Sequence, residues 1–329
     1  MRVTVSSQYS GFNAHINDLQ EKINLEQKKL TTGKKIQELN DAPEDVVDIK
    51  RFDAKIIQNE KYLDVIGETV IELQAVDDTL YNITEIINQA RQKAIDASNT
   101  DADAVVMISH YIKGYIEDVV KFANTDTNGH FLYGGTVTTP NQINTIDPAA
   151  QKLPYEIIEG EKTKENPSGL KVVFHGNNEQ RIINKSSSDT EIINQRSSDL
   201  FGENGEVFDT MIGLYNSLAF TETGEKRDHH SQFTVTDMEN INKFQADLAT
   251  QSENIDSFTS RNGSVINRLE DYKFSLQNEN VRMKTYRSFK EDTDVAKSLL
   301  NLKREETSLQ YALQVGSRMN TVSLFDFLR

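Results

Sequence analysis

The chain has 329 residues, a formal net charge of −15 at pH 7 and no cysteine. A chain without cysteine cannot form disulfides, thiolate metal sites or cysteine nucleophiles, and an acidic surface disfavours nucleic acid as the main partner. No apolar run approaches the roughly 20 residues that cross a bilayer, and the first residues lack the apolar stretch of a secretory signal. The sequence therefore predicts neither membrane insertion nor a cleaved signal peptide.

The charge is distributed unevenly along the chain. Residues 1–60 hold 9 basic and 10 acidic residues, residues 280–329 hold 9 and 6, and residues 61–279 hold 18 and 35. Like-charged surfaces repel one another and stay apart in solution. The two near-neutral ends are therefore the better candidates for close self-association.

Four segments show the apolar spacing of amphipathic helices. Residues 8–32 are the first, and residues 44–98 carry a long heptad pattern in which Asn59 is the single polar member between Ile49 and Leu73. Residues 102–124 and 237–318 continue the pattern, with Asp237 as a candidate cap. Alternating steps of three and four residues are the signature of helices that pack as coiled coils.

The centre of the chain has a different composition. Four of the five prolines fall between residues 140 and 167, and proline breaks helix interiors. Short β-type runs follow at residues 155–158, 170–174 and 181–183, separated by turn-forming residues. We interpret residues 221–232, which are charged and contain glycine, as an exposed loop.

These patterns predict a mainly α protein with a small β-rich insert. Because the apolar stripe of a long helix must be buried against another helix, we expect an elongated antiparallel coiled-coil rod built from both chain ends, with the β domain at its distal end. The predicted organisation is terminal assembly helices at 1–42 and 286–329, a helical rod at 43–136 and 237–285, and a variable β-rich domain at 137–236.

No catalytic motif is present, so the sequence predicts neither an enzyme nor a cofactor. The paired glycines at 134–135 indicate a turn rather than a phosphate-binding loop. The pair His229 and His230 has no third ligand at helical spacing, and a solvated loop is the favoured interpretation. Acidic residues at 101–103 and 291–294 stand where helices are expected to begin, which favours helix capping over acid–base chemistry.

Self-association is the function that the chain ends favour. The last eight residues include five large apolar side chains, although chain ends are usually polar. This tail follows a heptad helix that also needs a partner, so we predict contacts with other copies or with a partner protein. The candidate residues are Ile16, Leu19, Ile23, Leu30, Leu299, Leu302, Leu309, Leu313, Leu324, Phe325, Phe327 and Leu328.

Both ends of the chain resemble bacterial flagellin and its relatives. The flagellin C-terminal signature is similar to three stretches of this chain, which are residues 291–296 (Glu-Asp-Thr-Asp-Val-Ala), 310–314 and 324–328. The family's Gly-then-Asn-Arg-Leu stretch is similar to residues 260–270. Residues 30–36 and 40–43 resemble the segment between its first two helices. Together these pieces cover about 1–136 and 237–329, in the family's order.

One segment resembles a particular branch of that family. Residues 131–136 (Phe-Leu-Tyr-Gly-Gly-Thr) are similar to the aromatic-Gly-Gly-Thr step of the hook-associated, flagellin-like members found at the hook–filament junction. Ala42 departs from the family pattern, because a second acidic residue is common at that position.

The resemblance implies a structural component of the flagellum that joins hook to filament. Its partners would be other copies of itself, the hook-side junction protein, flagellin and an export chaperone that masks the C-terminal helix. It would be exported unfolded by the flagellar type III apparatus and be located outside the cell. Two alternatives stay open: a filament flagellin, and a non-polymeric coiled-coil secreted effector or adhesin.

Overall fold

The computed structural model describes residues 5–38, 40–99, 102–143, 153–203, 205–228 and 231–327. Long helices dominate it, and this confirms the predicted mainly α class with a small β insert. The helices are α1 (Val5–Thr32), α2 (Pro43–Ser98), α3 (Ala102–Ala123), α4 (Pro140–Ile143), α5 (Ser197–Phe201), α6 (Glu206–Ala219), α7 (Val235–Glu291) and α8 (Val295–Phe327). The strands are β1 (Asp126–Thr127), β2 (His130–Phe131), β3 (Tyr155–Glu159), β4 (Leu170–Phe174), β5 (Ile182–Asn184) and β6 (Thr190–Ile192).

The helix ends follow local chemistry. Helix α2 begins at Pro43, whose missing N–H costs nothing in a first turn. Helix α1 ends before Gly33, which takes a left-handed φ of 72° that suits glycine. These two boundaries agree with the sequence prediction.

Two other boundaries correct the sequence interpretation. The predicted 237–318 segment is two helices, since α7 ends at Glu291 and α8 begins at Val295. The capping role expected of the acidic residues at 291–294 is confirmed at Asp294, whose carboxylate accepts the Lys297 N–H at 3.0 Å. The cap of α7 is Thr234, whose hydroxyl accepts the Asp237 N–H at 3.1 Å. The Asp237 carboxylate in turn accepts the Thr234 N–H at 2.9 Å, so Asp237 is the second partner of a capping box.

Within the described residues, the strands form three separate antiparallel pairs: β1 with β2, β3 with β4, and β5 with β6. The sequence prediction found β3, β4 and most of β5 but missed β1, β2 and β6, which are only two or three residues long. It also missed α6, a 14-residue helix inside the region taken as β-rich. The buried residues Val207, Met211, Leu214 and Leu218 follow helical spacing along α6.

The chain divides into two compact units, which are described separately. The first consists of residues 1–60 and 277–329, and the second of residues 61–276. In the second unit, α3 packs against α6, and the β3–β4 pair packs against both helices. An aromatic group completes this core, with the Tyr155 and Phe201 rings 5.2 Å apart and the Phe201 and Phe208 rings 5.1 Å apart.

The second unit also contains a helix seam predicted from the heptads. Apolar residues of α2 and α7 form one buried cluster, consisting of Ile66, Val70, Leu73, Ile266, Leu269 and Leu276. The predicted packing of N-terminal heptads on C-terminal heptads is therefore confirmed in this part of the chain.

The loop at 221–232 is not simply exposed, as the sequence analysis expected. The Arg227 side chain is 2 % exposed and forms an ion pair with Asp237 at 2.7 Å. Its guanidinium also donates to the carbonyls of Ser217 and Gln232 and lies 4.6 Å from the centre of the Phe233 ring. A buried cation is stable only when it is paired and hydrogen-bonded, and this set of contacts fixes the loop.

The paired glycines of residues 131–136 have a packing role. Gly135 takes a φ of 70°, and a β-carbon there would overlap the Asn177 carbonyl. The Asn177 side chain accepts the Thr136 N–H at 2.9 Å and donates to the Thr136 hydroxyl at 2.8 Å. Gly135 therefore lets this segment lie directly against the Asn177 loop, while a β-carbon on Gly134 would overlap the Val137 carbonyl.

Candidate assembly surface

The two terminal helices, α1 and α8, pack against each other in the first unit. Leu19 of α1 is 3 % exposed, and Ile16, Ile23 and Leu30 are partly buried on the same side of the helix. A β-carbon on Gly316 of α8 would overlap the Phe12 ring, so the two helices approach closely at that point.

A buried carboxylate interrupts the apolar contact between these helices. Glu26 is 8 % exposed, and its carboxylate forms an ion pair with Lys29 at 2.9 Å. Burial alone would raise the pKa of Glu26, but Lys29, Ser298 and Asn301 stabilise the carboxylate and lower that pKa below its usual value. The contact between α1 and α8 therefore contains a charged layer at Glu26.

The connections that lead into the terminal helices are bonded to each other. The Thr293 N–H donates to the Gly33 carbonyl and the Lys35 N–H to the Glu291 carbonyl, both at 2.8 Å. Around this junction, Lys290 contacts Asp45 at 2.6 Å and Arg287 contacts Asp53 at 2.7 Å. We call this set of backbone and ionic contacts the clasp.

One face of α8 carries the heptad residues that the sequence predicted. This seam face consists of Val295, Leu299, Leu302, Leu309 and Leu313. Leu299 is 57 % and Leu313 53 % exposed, while Leu302 and Leu309 are partly buried. Exposed leucines in a row are unusual on a monomer and typical of an interface.

The tail residues predicted for self-association fall at the edge of what the structure describes. The backbone of Leu324, Phe325 and Phe327 belongs to α8, while their side chains lie outside the described residues, as does the whole of Leu328. Assignment of these positions, and of the other candidates, to self-association stays a prediction.

A second exposed face of α8 was missed by the sequence analysis. This basic face consists of Lys297, Leu300, Arg304, Tyr311 and Val315. Leu300 is 72 %, Tyr311 65 % and Val315 57 % exposed, and both cations are exposed as well. In the sequence, this face is marked by a second row of apolar residues at helical spacing. The row begins two positions after the first residue of the seam face.

The other sites considered from the sequence have no assembled chemistry in the described part of the chain. His229, His230 and Asp101 lie outside the described residues, and so does the side chain of Asp103. Among the residues that the structure does describe, no group of three or more His, Asp or Glu side chains could hold a metal. No described helix is long and apolar enough to span a membrane.

Comparison with known proteins matches the C-terminal part of this chain to one family. Residues 238–328 match the bacterial flagellin C-terminal helical region. The resemblance to flagellin is therefore confirmed over α7 and α8. No curated protein sequence matches the chain.

Solved structures share the fold at low sequence identity. A flagellar hook-associated protein from Vibrio parahaemolyticus is 14% identical with a TM-score of 0.60, over 76% of this chain and 99% of that one. The flagellar hook-associated protein-3 from Legionella pneumophila is 12% identical with a TM-score of 0.56, over 73% and 99%. The flagellar junction protein FlgL from the same organism is 11% identical with a TM-score of 0.53, over 74% and 99%. The fold is thus that of the flagellar hook-associated proteins.

Proposed function

We propose that this protein is a structural subunit of the bacterial flagellum that self-assembles through α1 and α8 at the junction between hook and filament. The observation that carries the proposal is the uncovered apolar surface of α8, where Leu299, Leu300 and Tyr311 are each more than half exposed. Each large apolar side chain contributes about 1.5–3 kcal/mol when fully buried, so neighbouring copies gain stability by covering this helix.

The match of residues 238–328 to the flagellin C-terminal helical region supports this role. The fold supports the junction in particular, since structures named as hook-associated and junction proteins share it. A filament flagellin is the alternative within the same class. A non-polymeric effector or adhesin is the alternative outside it.

The terminal segments 1–42 and 286–329 would act as assembly helices that gain order from their neighbours. Two helices alone bury too little apolar surface to offset the entropy of ordering them. Before assembly, an export chaperone would cover α8 and its tail. Export without a cleaved signal peptide, assembly with the hook-side junction protein and flagellin, and a role without catalysis belong to the same proposal.

Assembly is tested by sedimentation velocity across a range of protein concentrations. We expect Leu299→Ser with Leu313→Ser to raise the concentration at which oligomers form. Met107→Ser is the matched control, because Met107 on α3 is 56 % exposed and lies in the other unit. Equal effects of the two changes would contradict the assignment of the seam face.

Location is tested in cells of a flagellated host. We expect cells that lack the gene to build hooks without filaments, and gold-labelled protein to lie at a single point on each flagellum. Label along the whole filament would indicate the flagellin alternative. Intact filaments in the deletion strain would contradict a junction role.

Limited proteolysis tests the terminal segments of the isolated chain. We expect dilute protein to be trimmed from both ends to a core near residues 45–285. The assembled form is expected to resist cleavage at the same sites. Full protection of both ends at low concentration would contradict ordering on assembly.

A further inference from the structure

The hairpin formed by β1 and β2 is closed by two residues, Asn128 and Gly129. Asn128 has a φ of 55° and Gly129 a φ of 80°. Positive φ at both central residues is the mark of the type I′ turn, for which Asn-Gly is a preferred sequence. Both residues are exposed to solvent. The turn therefore presents an asparagine followed by a glycine at the surface of the second unit.

An asparagine followed by glycine can react with its own backbone. The backbone nitrogen of the second residue attacks the side-chain carbonyl carbon of the first, and a side chain on the second residue would crowd this attack. Glycine has no β-carbon, so it allows the close approach. Exposure matters as well, because water must reach the product of the attack. Asparagine is among the thermolabile residues of proteins for this reason.

A carboxylate lies beside the attacking nitrogen of this turn. The Gly129 N–H donates to Oδ2 of Asp126 at 3.1 Å, a distance at which a general base takes up a proton. The nitrogen must lose this proton when it forms a new bond, and the departing amide group must gain one to leave as ammonia. The Asp126 carboxylate is placed to accept the first of these protons.

The same dipeptide stands in a contrasting environment inside α7. Asn262 precedes Gly263 and is only 3 % exposed. Its Nδ2 donates to the Leu73 carbonyl at 2.7 Å and to Oδ1 of Asp77 at 2.6 Å. Inside a helix, the backbone N–H of the glycine is bonded to the preceding turn. Both reacting groups are therefore held in place at this second Asn-Gly step, which serves as an internal control.

We propose that Asn128 is a site of spontaneous deamidation, with Asp126 as the base. The Gly129 nitrogen forms a bond to Cγ of Asn128, the bond from Cγ to Nδ2 breaks, and ammonia leaves behind a succinimide ring. Water then opens the ring at either of its carbonyls, which produces aspartate or isoaspartate at position 128. Water is the only co-reactant. The proposal is independent of self-assembly.

The two products change the hairpin differently. Aspartate keeps the backbone as it is and adds one negative charge to an already acidic part of the chain. Isoaspartate carries the backbone through its side-chain carbon and so lengthens the loop. Because loop length and turn type fix the register of a hairpin, isoaspartate should disturb the pairing of Asp126 with Phe131 and of Thr127 with His130.

Mass spectrometry of the folded, full-length chain tests the site. The chain is incubated at mildly alkaline pH in water enriched in heavy oxygen and then digested in ordinary water. Each ring opening inserts one oxygen from the solvent, so the peptide with position 128 should gain heavy oxygen. We expect uptake at least about tenfold faster than at Asn262, which must first lose two hydrogen bonds. Equal rates, or no uptake at position 128, would overturn the proposal.

Unfolding the chain separates the effect of the fold from that of the dipeptide. In denaturant both asparagines are exposed and followed by glycine, so we expect Asn128 and Asn262 to take up heavy oxygen at similar rates. If Asn262 stayed unmodified in denaturant, its neighbours in sequence would explain its protection. The role assigned to the folded environment would then be wrong.

Asp126→Asn tests the base. The new side chain keeps an oxygen that accepts a hydrogen bond from Gly129 but does not take up its proton. We expect the rate at position 128 to fall by at least about tenfold. Continued protection of Asn262 would show that the variant is folded. Asp118→Asn, at an exposed position of α3, is the matched control and should leave the rate unchanged. Equal rates at position 128 in the two variants would overturn the assignment of Asp126.

Discussion

Asn59 of α2 donates a hydrogen bond from Nδ2 to Oδ1 of Asn280 on α7 at 3.0 Å. Asn59 is fully buried and Asn280 is 5 % exposed. The pair lies in a seam where neighbouring heptad positions are apolar, such as Ile56 on α2. A single buried asparagine in a coiled coil fixes the register of the helices at some cost in stability. We therefore interpret this pair as the device that sets the register of α2 against α7 in the first unit.

Removing one asparagine of this pair should lower the free energy of unfolding more than replacing both. Asn59→Ala leaves the Asn280 amide buried without its partner, and we expect a loss of about 1–3 kcal/mol in the free energy of unfolding. Asn59→Leu with Asn280→Leu is expected to be neutral or stabilising while it relaxes the register. Thermal unfolding measures the first effect, and Asn278→Ala, an exposed neighbour, is the control. A double variant less stable than Asn59→Ala would contradict this interpretation.

The buried ion pair between Arg227 and Asp237 should be highly sensitive to change. Arg227→Met leaves a buried carboxylate without its cation, and we expect a loss of about 3–5 kcal/mol. Lys22→Met is the control, because Lys22 and Asp18 form an ion pair with both side chains about half exposed. That variant should change stability by no more than about 1 kcal/mol. Similar losses, measured by denaturant unfolding, would show that Arg227 does not fix the loop.

The glycine at 135 should not tolerate a side chain. Gly135→Ala places a β-carbon on the Asn177 carbonyl and forces alanine into a left-handed φ. We expect a loss of at least about 1–2 kcal/mol. Gly114→Ala is the matched control: its β-carbon meets nothing within 4 Å in α3, and it should stabilise the helix by about 0.8–1 kcal/mol. Thermal unfolding of both variants measures these changes in stability. Equal shifts of the unfolding midpoint in the two variants would contradict the packing role of Gly135.

The clasp should weaken in acid. The hydrogen bond from Lys290 lowers the pKa of the Asp45 carboxyl below its ordinary value of 3.8. A lowered pKa stabilises the folded form fully above the ordinary value, and this contribution is lost as the pH falls through the folded pKa. Asp45 raises the pKa of Lys290 in turn, so that contribution is complete below 10.5 and is lost at higher pH.

Chemical shifts of the Thr293 and Lys35 amides report on the clasp. We expect them to move together below about pH 4, the range in which an ordinary Asp carboxyl binds its proton. Asp45→Asn should produce part of that change at neutral pH. High salt should have a similar effect, since these side chains are partly exposed to solvent and their attraction is screened. Amide chemical shifts that change neither in Asp45→Asn nor in high salt would show that the ion pairs do not support the clasp.

The long helices were predictable because their pattern is local. The buried positions from Ile56 to Ala94 follow the heptads read from the sequence, and Pro43 and Gly33 mark helix ends by their own backbone preferences. At the break of 292–294 the acidic residues gave a local signal of helix capping. The bonds from this break to residues around Gly33, more than 250 positions away, are contained in no local pattern. Helix α6 was missed because the region around it has the composition of turns and short strands.

The candidate surface was predictable in part. Leu299 and Leu313 were found because a heptad count selects one side of a helix. Leu300 and Tyr311 were missed because the same count treats every other side as solvent-exposed. Glu26 was missed because its burial results from packing against Ser298 and Asn301, which lie far away in the sequence.

The hydrogen bonds between Gly33 and Thr293 and between Lys35 and Glu291 have a mechanical consequence. They tie the bend before α2 to the bend after α7, so neither terminal helix can swing on its own while the bonds hold. The two ends of the polypeptide, opposite in sequence, therefore move together at this point as long as both bonds hold.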